Sequence, residues 1–158
     1  MSTPSTPPSP NPSAPNAPAS ASASRAIYVL DAFAVFALLQ NEKGAPVVAN
    51  LITRSQNEEI LLCLSLINWG EVLYYAEREQ GTERFNLWKS KIAKLPLQFA
   101  HVSQERVERA AHIKSGHNVS YADAFAIALA IELGATIVTG DKEFESVEKM
   151  VSILWLKR

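Results

Sequence analysis

Five short apolar runs punctuate the chain: "AIYVL" (26–30), "EILLCLS" (59–65), "LQFAHV" (97–102), "TIVT" (136–139) and "SILWL" (152–156). A strand with one wet face alternates apolar and polar residues. These runs are nearly continuous in Ile, Leu and Val, the pattern of strands buried on both faces. Helical stretches separate them, and strands alternating with helices make a parallel sheet covered on both sides. The fold expected is therefore α/β, a three-layer sandwich with a parallel five-stranded sheet flanked by helices.

The intervening stretches carry helix punctuation. "AFAVFALLQ" follows the first run, and a second helix begins near Pro46. "LINWGEVLYYAEREQ" (66–80) ends at Gly81, and "TERFNLWKSKIAK" (82–94) follows it. "SQERVERAAHIK" takes Ser103 as N-cap but lacks a capping box, because Arg106 stands three residues on. "YADAFAIALAIEL" takes Ser120 as N-cap and closes at Gly134. "KEFESVEKM" reads as roughly helical.

All of this lies in residues 25–158, one domain with enough chain for a real core. Residues 1–24 hold seven of the nine prolines and carry no charge and no aromatic or branched aliphatic side chain. Such a Pro/Ser/Ala-rich segment cannot bury enough apolar surface to offset its ordering entropy, and it reads as a disordered tail. It lacks the basic start and apolar stretch of a secretory signal. The lone Cys63 leaves no internal disulfide and suits a reducing cytoplasm. No apolar run is long enough for a bilayer. A net charge of −1 gives no global basic field, so any polyanion must be met by local cations or by metal ions.

The acids are unevenly placed. Sixteen residues are acidic, yet only Asp31, Asp123 and Asp141 are aspartates. Asp31 directly follows the first strand and Asp141 follows "TIVTG", both at the carboxyl ends of strands, where open parallel sheets gather ligands. Asp123 is the only polar residue from Tyr121 to Ile131, in a helix that is apolar all round and hence buried. Glu71 shares its helical stripe with Ile67, Asn68, Tyr74 and Tyr75. Each acid alone has an ordinary reading, as an N-cap, a macrodipole partner or, for Glu71, a partner of Arg78. Together they are harder to explain, since an unpaired buried carboxylate costs several kcal/mol. No Lys or Arg lies within three residues of Asp31, Glu71 or Asp123. A hard divalent cation, Mg²⁺ or Mn²⁺, resolves the repulsion with oxygen ligands at about 2.0–2.1 Å. Zinc is disfavoured, because His101, His112 and His117 lack a paired ligand motif and there is one cysteine.

This order of acids, Asp31 after strand one, Glu71 in the helix after strand two, Asp123 in "SYADAFAIALA" and Asp141 in "VTGDKEF", resembles the PIN domain, and within it VapC-type toxins. The resemblance runs over about residues 26–156. It implies a metal-dependent endoribonuclease with Asp31, Glu71, Asp123 and Asp141 as ligands of one or two Mg²⁺ or Mn²⁺ ions. Asp141 would be the outermost. Thr139 matches a supporting position, and Asn68, one turn before Glu71, is a second candidate support. The resemblance also implies a metal-activated water attacking the phosphodiester to leave 5′-phosphate and 3′-hydroxyl ends, a small antitoxin as partner and a homodimer. One residue departs from the pattern: a small hydroxyl or Asn is usual two positions after the first Asp, and here it is Phe33.

The nearest rival reading is a catalytically weakened PIN domain that binds RNA or a partner without cutting. A phosphotransfer receiver needs an acceptor Asp ending a central strand, and "CLSLINWGE" has none. A haloacid-dehalogenase-like phosphatase needs a second acid where Phe33 stands. Lys114, Lys142 and Arg78 are candidate phosphate contacts but suit solvated faces better, as does the cluster Lys89, Lys91 and Lys94. Tyr74, Tyr75, Phe85 and Trp88 fall on adjacent helices and fit either an interface or the core.

Overall fold

The computed structural model describes residues 24–157, so residues 1–23 of the proline-rich stretch lie outside the described residues. The five apolar runs are strands β1 (Ala26–Leu30), β2 (Ile60–Ser65), β3 (Leu97–Ala100), β4 (Thr136–Thr139) and β5 (Ser152–Trp155). All pair in parallel, in the order β3-β2-β1-β4-β5.

Both faces of the sheet are buried, and the register shows how. Val29 lies beside Cys63 on β2 and Ile137 on β4, and Ile137 beside Ile153 on β5. This row packs into one core with helices α5 (Gln104–Gly116) and α6 (Tyr121–Leu133). The next row, Leu30 with Leu64, Val138 and Leu154, points the other way. It packs against α1 (Ala32–Leu39), α2 (Ala45–Gln56) and α4 (Thr82–Ile92), while α3 (Leu66–Tyr75) contributes Val72. The period of two along each strand thus sorts alternate residues into two cores.

α6 is buried continuously from Asp123 to Ala130, and its alanines let it lie close to the sheet. Gly134 closes it at φ +60°, the left-handed cap position that glycine takes without strain.

Two segments differ from the sequence reading. The helix expected over 66–80 is α-helical only to Tyr75 and widens into a π-helical turn over Ala76–Gln80, in which Glu77 to Gln80 are exposed. The segment after Asp141 is a short 3-10 helix, Lys142–Val147, and not a longer α-helix. Its buried residues, Phe144 and Val147, stand three apart, which one 3-10 face aligns. The aromatic group divides: Trp88 is 2% exposed and stacks on Tyr75, Phe85 packs against the same core, and Tyr74 is 54% exposed beneath the Arg78 guanidinium.

The strand order reverses at the middle of the sheet. The chain builds outward from β1 to β2 and β3, then returns to the other side of β1 for β4 and β5. A crevice opens beyond the carboxyl ends of β1 and β4, the switch point where ligands of such sheets bind.

Candidate functional site

That crevice holds all four acids singled out by their placement. Asp31 and Asp141 with Glu71 and Asp123 line a cavity of about 230 Å³, together with Ala32, Phe33, Phe36, Ser120 and Glu143. Among the described residues no basic side chain lines it.

Each aspartate does have the ordinary capping role. Asp31 is the N-cap of α1, with Oδ1 accepting from the Ala34 N–H at 2.9 Å. Asp123 forms a reciprocal capping box with Ser120: its N–H donates to the Ser120 Oγ at 3.0 Å and its Oδ2 accepts from the Ser120 N–H at 3.1 Å. Asp141 caps the 3-10 helix, accepting from the Glu143 N–H at 3.0 Å. These caps fix where the carboxylates sit, and the strand order brings three of them to one place. Capping and convergence are the same geometry seen locally and globally.

Thr139 joins two of the acids. It is fully buried, donates its hydroxyl to Asp31 Oδ2 at 2.6 Å and accepts from the Asp141 N–H at 2.9 Å. The sequence reading gave it a supporting place; in the structure it bonds to one of these acids and to the backbone of another. Asn68 does not line the cavity. It is fully buried, and neither of its amide atoms has a hydrogen-bond partner. Arg78 does not pair with Glu71; it pairs with Glu79. Lys114, Lys142 and His117 are absent from the lining.

Electrostatics follow from burial. Asp31 is 1% exposed, and desolvation pushes its carboxyl up to about 8, helped by the charges of Asp123 and Asp141 and opposed by the bonds from Thr139 and Ala34. Burial and the same two neighbours push Glu71 up to about 7. Asp123 is raised too, first by burial and less by Asp141 and Glu143, while its Ser120 bonds pull the other way. Glu71 Oε2 is buried with no hydrogen-bond partner among the described residues. An orphaned carboxylate oxygen among other carboxylates calls for a cation or a water in the space beside it.

The donor set is all oxygen, with no His or Cys, which suits Mg²⁺ or Mn²⁺ and not zinc. Among the described residues no three His, Cys, Asp or Glu side chains already stand close enough to hold an ion between them. The carboxylates instead ring a cavity with room for water, which fits an ion that keeps part of its hydration shell.

Two residues of the crevice escaped the sequence reading. Glu143 lines the cavity, and its signal was its place two residues after Asp141. Lys43 lines an adjoining cleft of about 720 Å³ with Phe33, Glu42 and Asp141, and nothing in "NEKGAP" marks it out.

The PIN domain family matches residues 28–150. The chain belongs to the PIN domain family. No curated protein sequence matches it. Solved structures share the PIN fold at low identity. VapBC2 from Rickettsia felis, bound to a DNA fragment from its promoter, is 18% identical at a TM-score of 0.65, covering 83% of this chain and 99% of that one. DNA-bound VapBC from Salmonella typhimurium is 20% identical at 0.64, covering 82% and 97%. VapC20 from Mycobacterium tuberculosis, a toxin that cleaves the sarcin-ricin loop, is 16% identical at 0.62, covering 76% and 94%. Like them, this PIN domain has the α/β sheet architecture the apolar runs pointed to. Among the described residues no helix is long and apolar enough to cross a membrane.

Proposed function

We propose that the protein is a Mg²⁺- or Mn²⁺-dependent endoribonuclease and the toxin of a toxin–antitoxin pair. One observation carries this reading: four acids from separate elements line one cavity at the sheet's switch point, with no basic side chain beside them among the described residues. Family membership and the similarity to VapBC complexes support the toxin role. By the same analogy a small antitoxin is the partner and the toxin is a homodimer.

Asp31, Glu71, Asp123 and Asp141 are the residues that would hold the cation. When bound, Mg²⁺ or Mn²⁺ supplies Lewis acidity and lowers the pKa of a coordinated water. The protein's own part is to hold its oxygens in place beforehand. Thr139 fixes Asp31 Oδ2 and, through the Asp141 N–H, the start of the 3-10 helix. The Ser120–Asp123 box fixes the third carboxylate at the first turn of α6. Glu71 Oε2 is the buried oxygen with no competing partner.

The test is incubation with single-stranded RNA in Mg²⁺ or Mn²⁺ and analysis of the ends. Cleavage to 5′-phosphate and 3′-hydroxyl products, abolished in Asp31→Asn and in Asp123→Asn with the fold intact, is the expected result. Cleavage that survives both substitutions overturns the proposal. The rival reading, binding without cutting, draws on Phe33 in the cavity wall; it expects bound RNA and no products in either metal.

A further inference from the structure

Phe33 stands on the wall between two spaces. It lines the carboxylate cavity and also the adjoining cleft of about 720 Å³, with Asp141 the other residue common to both. Its ring is backed by Gly140: a Cβ built there would fall 2.4 Å from Phe33 Cε1 and 2.6 Å from Cζ. Any side chain at position 140 would push the ring away, so the glycine is what lets the ring rest where it does. The ring is half-buried against the α1 and α2 side of the core, which limits its freedom further.

A positioned aromatic ring next to a candidate phosphodiesterase centre has a chemical counterpart in the substrate. Unpaired bases stack on aromatic side chains, and each such stack is worth about 1–3 kcal/mol whatever the base. Among the described residues Lys43 is the sole basic one lining either space. Glu42 and Asp141 also line the cleft, one cation against two carboxylates, so it offers one phosphate contact and not a general attraction for polyanions.

We propose that Phe33, held by Gly140, is a stacking platform for an unpaired nucleobase of single-stranded RNA flanking the scissile phosphate, with Lys43 contacting an adjacent phosphate. The proposal deepens the nuclease reading and rests on it. The residue that departs from the family pattern thereby becomes a specificity element: RNA must present an unstacked base next to the cut, and paired RNA is refused.

The experiment uses the full chain and short single-stranded RNAs carrying 2-aminopurine at successive positions, with cleavage followed in parallel. Quenching is expected at one position adjacent to the cut in the wild type and in Phe33→Trp. Phe33→Leu is expected to lose that quenching and bind roughly 5- to 150-fold more weakly, the equivalent of one base stack, with its thermal unfolding midpoint near wild type. Gly140→Ala is expected to act alike by displacing the ring, and adding it to Phe33→Leu should cost little more. Lys43→Ala should weaken binding without removing the quenching. Double-stranded RNA of the same sequence should show neither effect. Equal binding and equal quenching in wild type and Phe33→Leu, or no binding of single-stranded RNA at all, overturns the platform. Quenching at Phe33 without any cleavage upholds the platform and retires the nuclease reading. Cleavage indifferent to Phe33 does the opposite.

Discussion

The two ends of α6 handle buried charge in opposite ways. Near its carboxyl end, Glu132 receives two bonds from Arg106 of α5, at 3.0 and 2.8 Å, and the same guanidinium donates to the His101 carbonyl. Arg106 is 7% exposed, so the chain supplies its own counter-charge where a cation is buried. At the amino end, Asp123 lines one cavity with Asp31, Glu71 and Asp141, and among the described residues no cationic side chain lines it. The same helix thus carries a neutralised pair built for cohesion and a cluster left negative. On the nuclease proposal, the compensation at the amino end comes from the cation that would bind there.

The sharpest way to break this contrast is to remove charge from the negative end. Asp31→Asn should reduce cleavage by more than the roughly 10–100-fold typical of losing an outer partner of a metal ligand, measured by single-turnover RNA cleavage. It should also raise the thermal midpoint of the metal-free protein, because a buried carboxyl with a raised pKa no longer has to ionise. A lowered midpoint would place Asp31 with the structural caps alone.

Thr139→Val tests whether position as well as charge matters. It removes the donor to Asp31 Oδ2 and the acceptor for the Asp141 N–H while keeping the shape. A loss of roughly 10–100-fold in cleavage and in Mg²⁺ affinity is expected, with rescue by Thr139→Ser. Equal loss in both variants would mean that the hydroxyl is not what acts.

The pH dependence of the metal-free protein follows from the raised carboxyls. Asp31 and Glu71 bind protons more tightly folded than unfolded. Their stabilising contribution is complete below the ordinary values of 3.8 and 4.5 and is lost as pH rises through about 8 and about 7. Above about pH 5 the thermal midpoint should therefore fall with rising pH, less steeply in Asp31→Asn. Added Mg²⁺ should restore stability, and more so at the alkaline end. Parallel profiles for wild type and Asp31→Asn would remove the basis for the effect.

The smallest effect is expected at the paired end. Arg106→Met should cost about 1–3 kcal/mol, less than a fully buried pair because Glu132 is 41% exposed and can rehydrate. Chemical unfolding measures this, and cleavage per folded molecule should stay at wild-type level.

The contrast also explains what the sequence could disclose. Strands β1 and β4 were legible to the residue, because unbroken apolar runs bounded by Asp31 and by Gly140–Asp141 admit few other readings. Asp31, Glu71 and Asp123 were legible because they sit in apolar sequence with no cation within three residues, and Asp141 because it follows a strand end. The Arg106–Glu132 pair was not, since its members stand 26 residues apart among ordinary surface charges. Lys43 was hidden for the same reason, and Glu143, another exposed charge, was marked only by its place two residues after Asp141. The π-helical turn at Ala76–Gln80 escaped because its residues favour an α-helix locally.

The Thr139–Asp31 hydrogen bond spans 108 positions and joins the first strand to the fourth. During synthesis, the opening strand leaves the ribosome long before its neighbour on that side exists. Until β4 has been made and has slotted in beside β1, Asp31 has no Thr139 to orient it and no Asp141 alongside. A nascent chain on the ribosome, among the RNA such an enzyme would attack, therefore carries no assembled centre until nearly all of the fold has been translated.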